Sequence, residues 1–494
     1  MLFNSIPYML FLPIVLGVYW VLPRKARYLW LLGASYYFYM CWNAGYALLI
    51  LASTVVTWLC GMGLSAVAEG SNSKGRRKAI LAAGLCFNFG MLIWFKYAGF
   101  LAETVTWLGS VMGIAITLPE VDILLPVGIS FFTFQAVGYV IDVYRGTVAA
   151  ERNFFRYALF VSFFPQLVAG PIERSGKLLG QLREPERFSF DSFREGILLM
   201  IKGFFLKIVV ADRIAVFVDC VYGNPEAWPG WYLIVGTVLF GIQIYCDFAG
   251  YTTIAMGSAR MLGIRLTDNF DAPYLSTSVH DFWRRWHISL TSWFRDYLYI
   301  PLGGGRKGAW RKQVNRMIVF LVSGLWHGAN VTFLIWGGIN GAYQVIGDVL
   351  KPARDRAARL LGIRRESLGH RMLCGGITFA LITFSWIFFR AQTVEQAGQI
   401  VGSIFGARNP WVLIDGSLYA CGLDAANFTV MGIGIGILAL MDILRRRGIR
   451  AEQVILRQPC WFRWVWFSVC IAAVLLFGIW GPGYDAASFI YFQF

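Results

Sequence analysis

The stretch Met317–Ile346 reads MIVFLVSGLWHGANVTFLIWGGINGAYQVI and contains no charged residue. One untilted membrane span needs about twenty apolar residues, so this run is too long for a single helix. It carries His327 near its middle, bracketed by Gly324 and Gly328. Glycines at such a point break a helix or let another backbone or a ligand come close. His327 therefore has two readings. It is either a bundle residue hydrogen-bonded to a neighbouring helix or an ionisable group turned toward a cavity.

Comparable apolar runs recur along the whole chain. Of its 494 residues 57% are hydrophobic and 15% charged, against about 25% charged in soluble domains. The mean hydropathy is +0.57. This pattern implies an all-α polytopic membrane protein, with spans expected near 2–22, 28–41, 44–66, 79–97, 125–143, 154–170, 193–211, 231–250, 317–346, 372–389, 428–444 and 464–481. The first run lacks a basic leader and a cleavage site, so it is expected to be a retained helix. No repeat or linker divides the chain, and residues 1–494 are expected to form one membrane domain, with membrane lipid as its surroundings.

The net charge is +16, but the basic residues fall in short loops between apolar runs. That placement points to membrane topology rather than to nucleic acid. The clusters Arg24–Arg27, Lys74–Lys78, Arg306–Arg316, Lys351–Arg371 and Arg445–Arg450 are expected on the cytoplasmic side. Both termini and residues 98–120 and 391–427 then lie outside. Residues 193–213 hold Lys202, Lys207, Asp212 and Arg213 and are expected to form an amphipathic helix partly along the interface. The nine cysteines form no CxxC pair, so neither a disulfide framework nor a zinc site is expected.

In a lipid-embedded chain the polar residues carry the information, because a charge near mid-membrane costs several kcal/mol. His370 reads as a solvated loop residue and His280 as a residue near a helix start. On a helical wheel, Asp281–Leu298 places Trp283, Trp286, His287, Leu290, Trp293, Phe294, Tyr297 and Leu298 on one face, with Arg285, Ser289, Ser292 and Asp296 opposite. That helix either anchors at the interface or lines a cavity and offers His287 to it. Asp247 is the sole charge between Ala227 and Ala259. It needs a partner, for which an arginine near Arg284 is the candidate.

In order, the segments MLFNSIPYMLFLP, LPVGISFFTFQAVGYVIDVYRG, LFVSFFPQLVAGPIER, YCDFAGYTTIAMGSARMLGI, NFDAPYLSTSVHDFWRRWHISLTSWFRDYLYIPLGG, GLWHGAN and FIYFQF resemble the membrane-bound O-acyltransferase family, in its bacterial alginate O-acetyltransferase-like branch. They cover the chain end to end and are dense from about Pro126 to Gly341. The resemblance implies a fold of about 11–12 membrane helices with re-entrant or interfacial helices around a central channel, in a bacterial inner membrane. It implies transfer of an acetyl group from a cytoplasmic thioester, acetyl-coenzyme A or an acyl carrier protein, toward hydroxyls of an exported polysaccharide. No bound cofactor or metal is implied. The family's catalytic histidine matches His327, and the second histidine of this branch matches His287. An extracytoplasmic acetyltransferase and export machinery are the implied partners. A D-alanyl transferase of teichoic acid modification and a polytopic transporter remain the alternatives.

The chemistry fits these residue types. An alcohol attacks a thioester only as its proton leaves, and a neutral imidazole can take that proton. His327 is the expected base. For the oxyanion, His287, Asn330 and backbone N–H groups near Gly328 are all candidates. Asp247 is a supporting residue, and Arg284, Arg285 and Arg295 are expected to meet the donor's phosphates.

Overall fold

The computed structural model describes residues 1–67, 73–114, 118, 125–168, 170–480 and 489–490. All regular secondary structure among them is helical. Six of these helices are long and apolar enough to cross a membrane: Tyr46–Ala66, Ser73–Val111, Trp231–Met261, Leu368–Arg390, Ala425–Arg446 and Cys460–Phe477. Other apolar runs fold as shorter helices, such as Ile129–Arg145 with 17 residues, or about 26 Å at 1.5 Å per residue. Nearly every side chain of that helix is buried, so its apolar composition reflects packing inside protein rather than contact with lipid. Of the expected FIYFQF segment, residues 491–494 lie outside the described residues, as does Ala169 of the LFVSFFPQLVAGPIER segment.

One compact unit comprises Met1–Ile197 and Ala255–Thr267. Its core includes Phe3, Tyr8, Phe11, Phe38 and Phe164, with neighbouring ring centroids 4.8 to 6.2 Å apart. A span was expected over 154–170, but the chain forms two short helices, Phe154–Ser162 and Phe164–Leu167. Pro165 lies in the first turn of the second, where its missing N–H costs nothing. The break frees backbone groups in a buried place, and side chains meet two of them. Gln135 and Gln166 donate to the Phe160 carbonyl, and the Phe164 N–H donates to Ser35 Oγ. Residues 98–120 were expected on the outer side; the helix that begins at Ser73 runs through the first part of that range to Val111, and residues 115–117 and 119–120 lie outside the described residues.

The second unit comprises Leu198–Ile254 and Asp268–Phe494. Its central device is a helical hairpin, Ala309–His327 and Val331–Val349, built from the thirty-residue uncharged run and its basic approach. The run breaks at Gly328, as its length and glycines require, and Asn330 caps the second helix by accepting from the Thr332 N–H at 3.0 Å. The two backbones touch. A Cβ on Gly324 would lie 2.2 Å from the Phe333 carbonyl oxygen, and one on Gly337 2.4 Å from that of Phe320.

Such contacts leave no room for a methyl group, and overpacking typically costs about 1–3 kcal/mol. Gly337→Ala is therefore expected to lower the thermal midpoint of the detergent-solubilised protein. Gly347→Ala, on the same helix but with open space around it, is expected to leave it unchanged. Fluorescence-detected size exclusion after heating checks both.

Candidate active site

The segment expected to be one amphipathic helix is two. Val279–Arg285 ends at Trp286, and Ile288–Phe294 begins after His287, which takes left-handed backbone angles at φ 45°. The chain then widens into a π-helical turn over Arg295–Tyr299. Two backbone bonds hold the break open. The Asp271 N–H donates to the Arg285 carbonyl and the Ile288 N–H to the Asn269 carbonyl, both at 3.0 Å. A non-glycine residue with positive φ marks local strain held by its surroundings, and here the strained residue is the histidine.

His287 is 1% exposed. Its Nδ1 lies 3.2 Å from Asn269 Oδ1, which also accepts from the Ser289 N–H at 3.1 Å and the Ser289 hydroxyl at 2.8 Å. Phe248 packs edge-on to the imidazole at 4.7 Å and Trp326 at 6.0 Å. Burial disfavours the imidazolium and holds the His287 pKa well below the usual histidine value.

His327 closes the first helix of the hairpin and is 5% exposed. Trp326, Trp336 and Phe389 box it in, with ring centroids 4.9, 5.1 and 5.2 Å away. Both histidines line one cavity of about 390 Å³. His280 lines it too and holds Gln344 Oε1 through Nδ1 at 3.3 Å.

Three arginines, Arg284, Arg295 and Arg316, also face this cavity. Arg285, one residue and about 100° further round its helix, pairs with Asp271 at 2.5 Å and Asp281 at 3.0 Å instead. Asp271 in turn binds Arg445, so Arg285 belongs to a clamp on the segment that carries Asn269. Asp348 bridges Lys312 and Arg316. Burial works against its charge, but hydrogen bonds from Lys312, Gln313 and Arg316 hold its carboxyl down at about 2. One carboxylate between two cations leaves a net positive charge beside the cavity.

Asn330 and Asp247 are not among the residues lining the cavity. Asn330 caps its helix and donates to the Gln392 carbonyl. Asp247 pairs with Lys207 at 2.7 Å, not with an arginine, and Lys207 also pairs with Asp212 at 2.7 Å. This corrects two expectations. The partner comes from residues 193–213, and that segment does not lie along the interface at this point. A π-helical turn over Phe205–Ala211 places Lys207 at 0% side-chain exposure between two carboxylates.

The model of the membrane-bound O-acyltransferase family matches residues 148–388, a range that includes both histidines and the hairpin. The chain is 35% identical over 451 residues to the probable alginate O-acetylase of Pseudomonas syringae pv. tomato, covering 90% of this chain and 83% of that protein. The chain belongs to the membrane-bound O-acyltransferase family. It is also 30% identical over 429 residues to the peptidoglycan O-acetyltransferase of Helicobacter pylori, with 80% and 78% coverage. To the teichoic acid D-alanyltransferase of Bacillus subtilis it is 30% identical over 235 residues, 44% of this chain and 58% of that one. As a membrane-bound O-acyltransferase it is a multi-pass membrane enzyme, and the transporter alternative falls away.

Sequence reasoning missed the asparagines that shape the surroundings of this cavity. Asn269 fixes His287. Asn340 accepts from the Trp283 indole N–H at 3.2 Å and so docks the Val279–Arg285 helix on the hairpin. Asn315 donates to the carbonyls of Leu302 and Gly304 and pins the loop after Tyr299. The available signal was their chemistry, since a carboxamide inside an apolar domain needs fixed partners.

Lys207→Met in this acyltransferase strands two buried carboxylates. Breaking such a buried ion cluster typically costs about 3–5 kcal/mol. The expected result is loss of most folded protein in membranes. The triple variant Lys207→Met, Asp212→Asn, Asp247→Asn is expected to recover a large part of it, read as monodisperse protein after solubilisation.

Proposed function

We propose that this enzyme moves an acetyl group from a cytoplasmic thioester toward hydroxyls of an exported polysaccharide. The observation that carries the reading is one cavity shared by His287, His327 and three arginines. The names of the relatives, an alginate O-acetylase and a peptidoglycan O-acetyltransferase, supply the acyl group and the acceptor class. Positive-inside counting puts the basic loops in the cytoplasm and both termini outside, in a bacterial inner membrane. An extracytoplasmic acetyltransferase is the partner that fits a product emerging on that side.

In the proposed step the hydroxyl oxygen attacks the thioester carbonyl. The new C–O bond forms, the hydroxyl proton passes to the His327 imidazole, and the C–S bond breaks as the tetrahedral intermediate collapses. The thiolate leaves and takes up a proton. Trp326, Trp336 and Phe389 fix the position of the imidazole that takes this proton. Acetyl-coenzyme A and a loaded acyl carrier protein both bring phosphate to the thioester arm. Arg284, Arg295 and Arg316 are the groups on the cavity that suit such anions. Arg285 serves the site through its ion pairs rather than by touching the donor.

The test is acetyl content of the exported polymer in cells carrying variants that insert normally. His327→Ala is expected to abolish acetylation, and normal acetylation there sinks the reading. Arg316→Gln and Arg295→Gln are expected to raise the KM for acetyl-coenzyme A by about tenfold each, the equivalent of about 1.4 kcal/mol per lost charged contact. In both, kcat is expected to change little. Purified protein offered acetyl-coenzyme A beside a D-alanyl carrier protein separates O-acetylation from D-alanylation.

A further inference from the structure

Asn269 stands 18 residues before His287, on no helix, and its carboxamide is buried. Its Oδ1 accepts the backbone N–H of Ser289 at 3.1 Å. That donor is decisive, because a backbone N–H can only donate. The atom facing it must be the carboxamide oxygen, so the orientation of Asn269 is settled by the main chain rather than by choice. The same oxygen faces His287 Nδ1 at 3.2 Å. Two lone pairs at that distance would repel, so Nδ1 must carry the proton. A neutral imidazole bears one N–H, and its second nitrogen is then an acceptor.

We propose that Asn269 is a positioning residue that locks neutral His287 as the Nδ1–H tautomer, so that its Nε2 acts in the cavity as a hydrogen-bond acceptor for a hydroxyl of the acceptor substrate other than the one that reacts. This rests on the reading of the cavity as the site of acyl transfer. It deepens that reading by dividing the roles of the two histidines. A neutral His287 with a bare Nε2 offers no proton to an oxyanion. That donor role falls to other groups, while His287 orients the acceptor through a hydroxyl that keeps its proton and His327 removes the proton of the hydroxyl that reacts.

The geometry is built to keep this state. The left-handed turn at His287 sets the ring against Asn269. The clamp of Arg285 and Arg445 on Asp271 holds the Asn269 segment two residues away. Phe248 and Trp326 cover the ring from the side with no charge of their own. The other titratable groups on the cavity are His280, His327, Arg284, Arg295, Arg316 and Tyr299. Burial of the ring is what disfavours its charged form.

Two measurements on the full-length protein in lipid nanodiscs test this. The chain has four histidines, so 15N-histidine labelling with a His287→Gln control isolates the His287 signals. The expected spectrum shows a protonated Nδ1 and a bare Nε2, and loses that preference in Asn269→Leu. A protonated Nε2 in the parent protein overturns the proposal. This readout needs no turnover. A failure of the acyl-transfer reading itself, seen as parent protein that moves no acetyl group from acetyl-coenzyme A, is therefore told apart from a failure of the tautomer assignment.

The second measurement is the pH profile of acetyl transfer. Asn269→Leu is expected to lower kcat by about 10- to 100-fold, the loss typical when the orienting partner of a functional histidine is removed, with KM for acetyl-coenzyme A unchanged. Asn269→Asp keeps the same acceptor atoms and adds a negative charge. It is expected to retain more activity than Asn269→Leu and to raise the His287 pKa by about one to three units. An acceptor must be unprotonated, so this role is lost as pH falls through that pKa, and the His287 15N signals report that pH directly beside the kcat profile. A His287 15N titration that stays in place in well-folded Asn269→Asp, or an Asn269→Leu variant with full kcat, refutes the assignment.

Discussion

The backbones of Ala309–His327 and Val331–Val349 meet at Gly324 and Gly337 with no side chain between them, and the site depends on that contact. It brings the end of one helix against the start of the next, so His327 falls at the tip of a rigid hairpin. Trp336 from the returning helix and Phe389 from Leu368–Arg390 then reach the imidazole. A histidine on a looser turn would have neither a fixed position nor an apolar box. Gly328 extends the same logic, since a Cβ there would run into the Phe333 ring at 2.1 Å.

Buried carboxamides do for the loops what glycines do for the hairpin. Asn340 docks one helix, Asn315 ties one loop, and Asn269 holds one histidine. Burying a carboxamide costs free energy unless it is hydrogen-bonded, so each one dictates a contact rather than merely permitting it. The charged residues divide in a similar way. Arg284 and Arg285 are neighbours in sequence, yet one faces the cavity and the other an acidic clamp. A run of basic residues thus supplies binding charge and structural charge from adjacent positions.

The hairpin was legible because thirty uncharged residues exceed one span and the glycines mark the break. His327 was legible because an ionisable group in such a run demands a reason. The break at His287 was not. A helical wheel assumes a continuous helix, and a left-handed residue leaves no trace in the hydrophobic pattern. Asn269 was hidden for a different reason, because its neighbours Asp268 and Asp271 make the segment look like an ordinary polar loop. The partner of Asp247 lay forty residues upstream in a segment whose charges suggested the membrane surface, and composition cannot report that Lys207 turns inward. Residues 98–111 read only as less apolar and outside, and composition does not report that the helix begun at Ser73 runs on through them.

That long helix has a consequence for the lipid around it. Ser73–Val111 has 39 residues, about 58 Å at 1.5 Å per residue, while a hydrocarbon core is about 30 Å thick. Apolar side chains face outward from Phe87 through Trp94, Leu101 and Trp107 to Val111, a length of about 36 Å by the same rise. The polar start at Ser73–Lys78 takes up part of the excess, and the exposed carboxylate of Glu103 interrupts the apolar band. A helix of this length either tilts in the bilayer, at a cost of a fraction of a kcal/mol per Å of mismatch, or carries its far end out of the hydrocarbon. A single uninterrupted rod of the protein thus reaches beyond what one bilayer core requires.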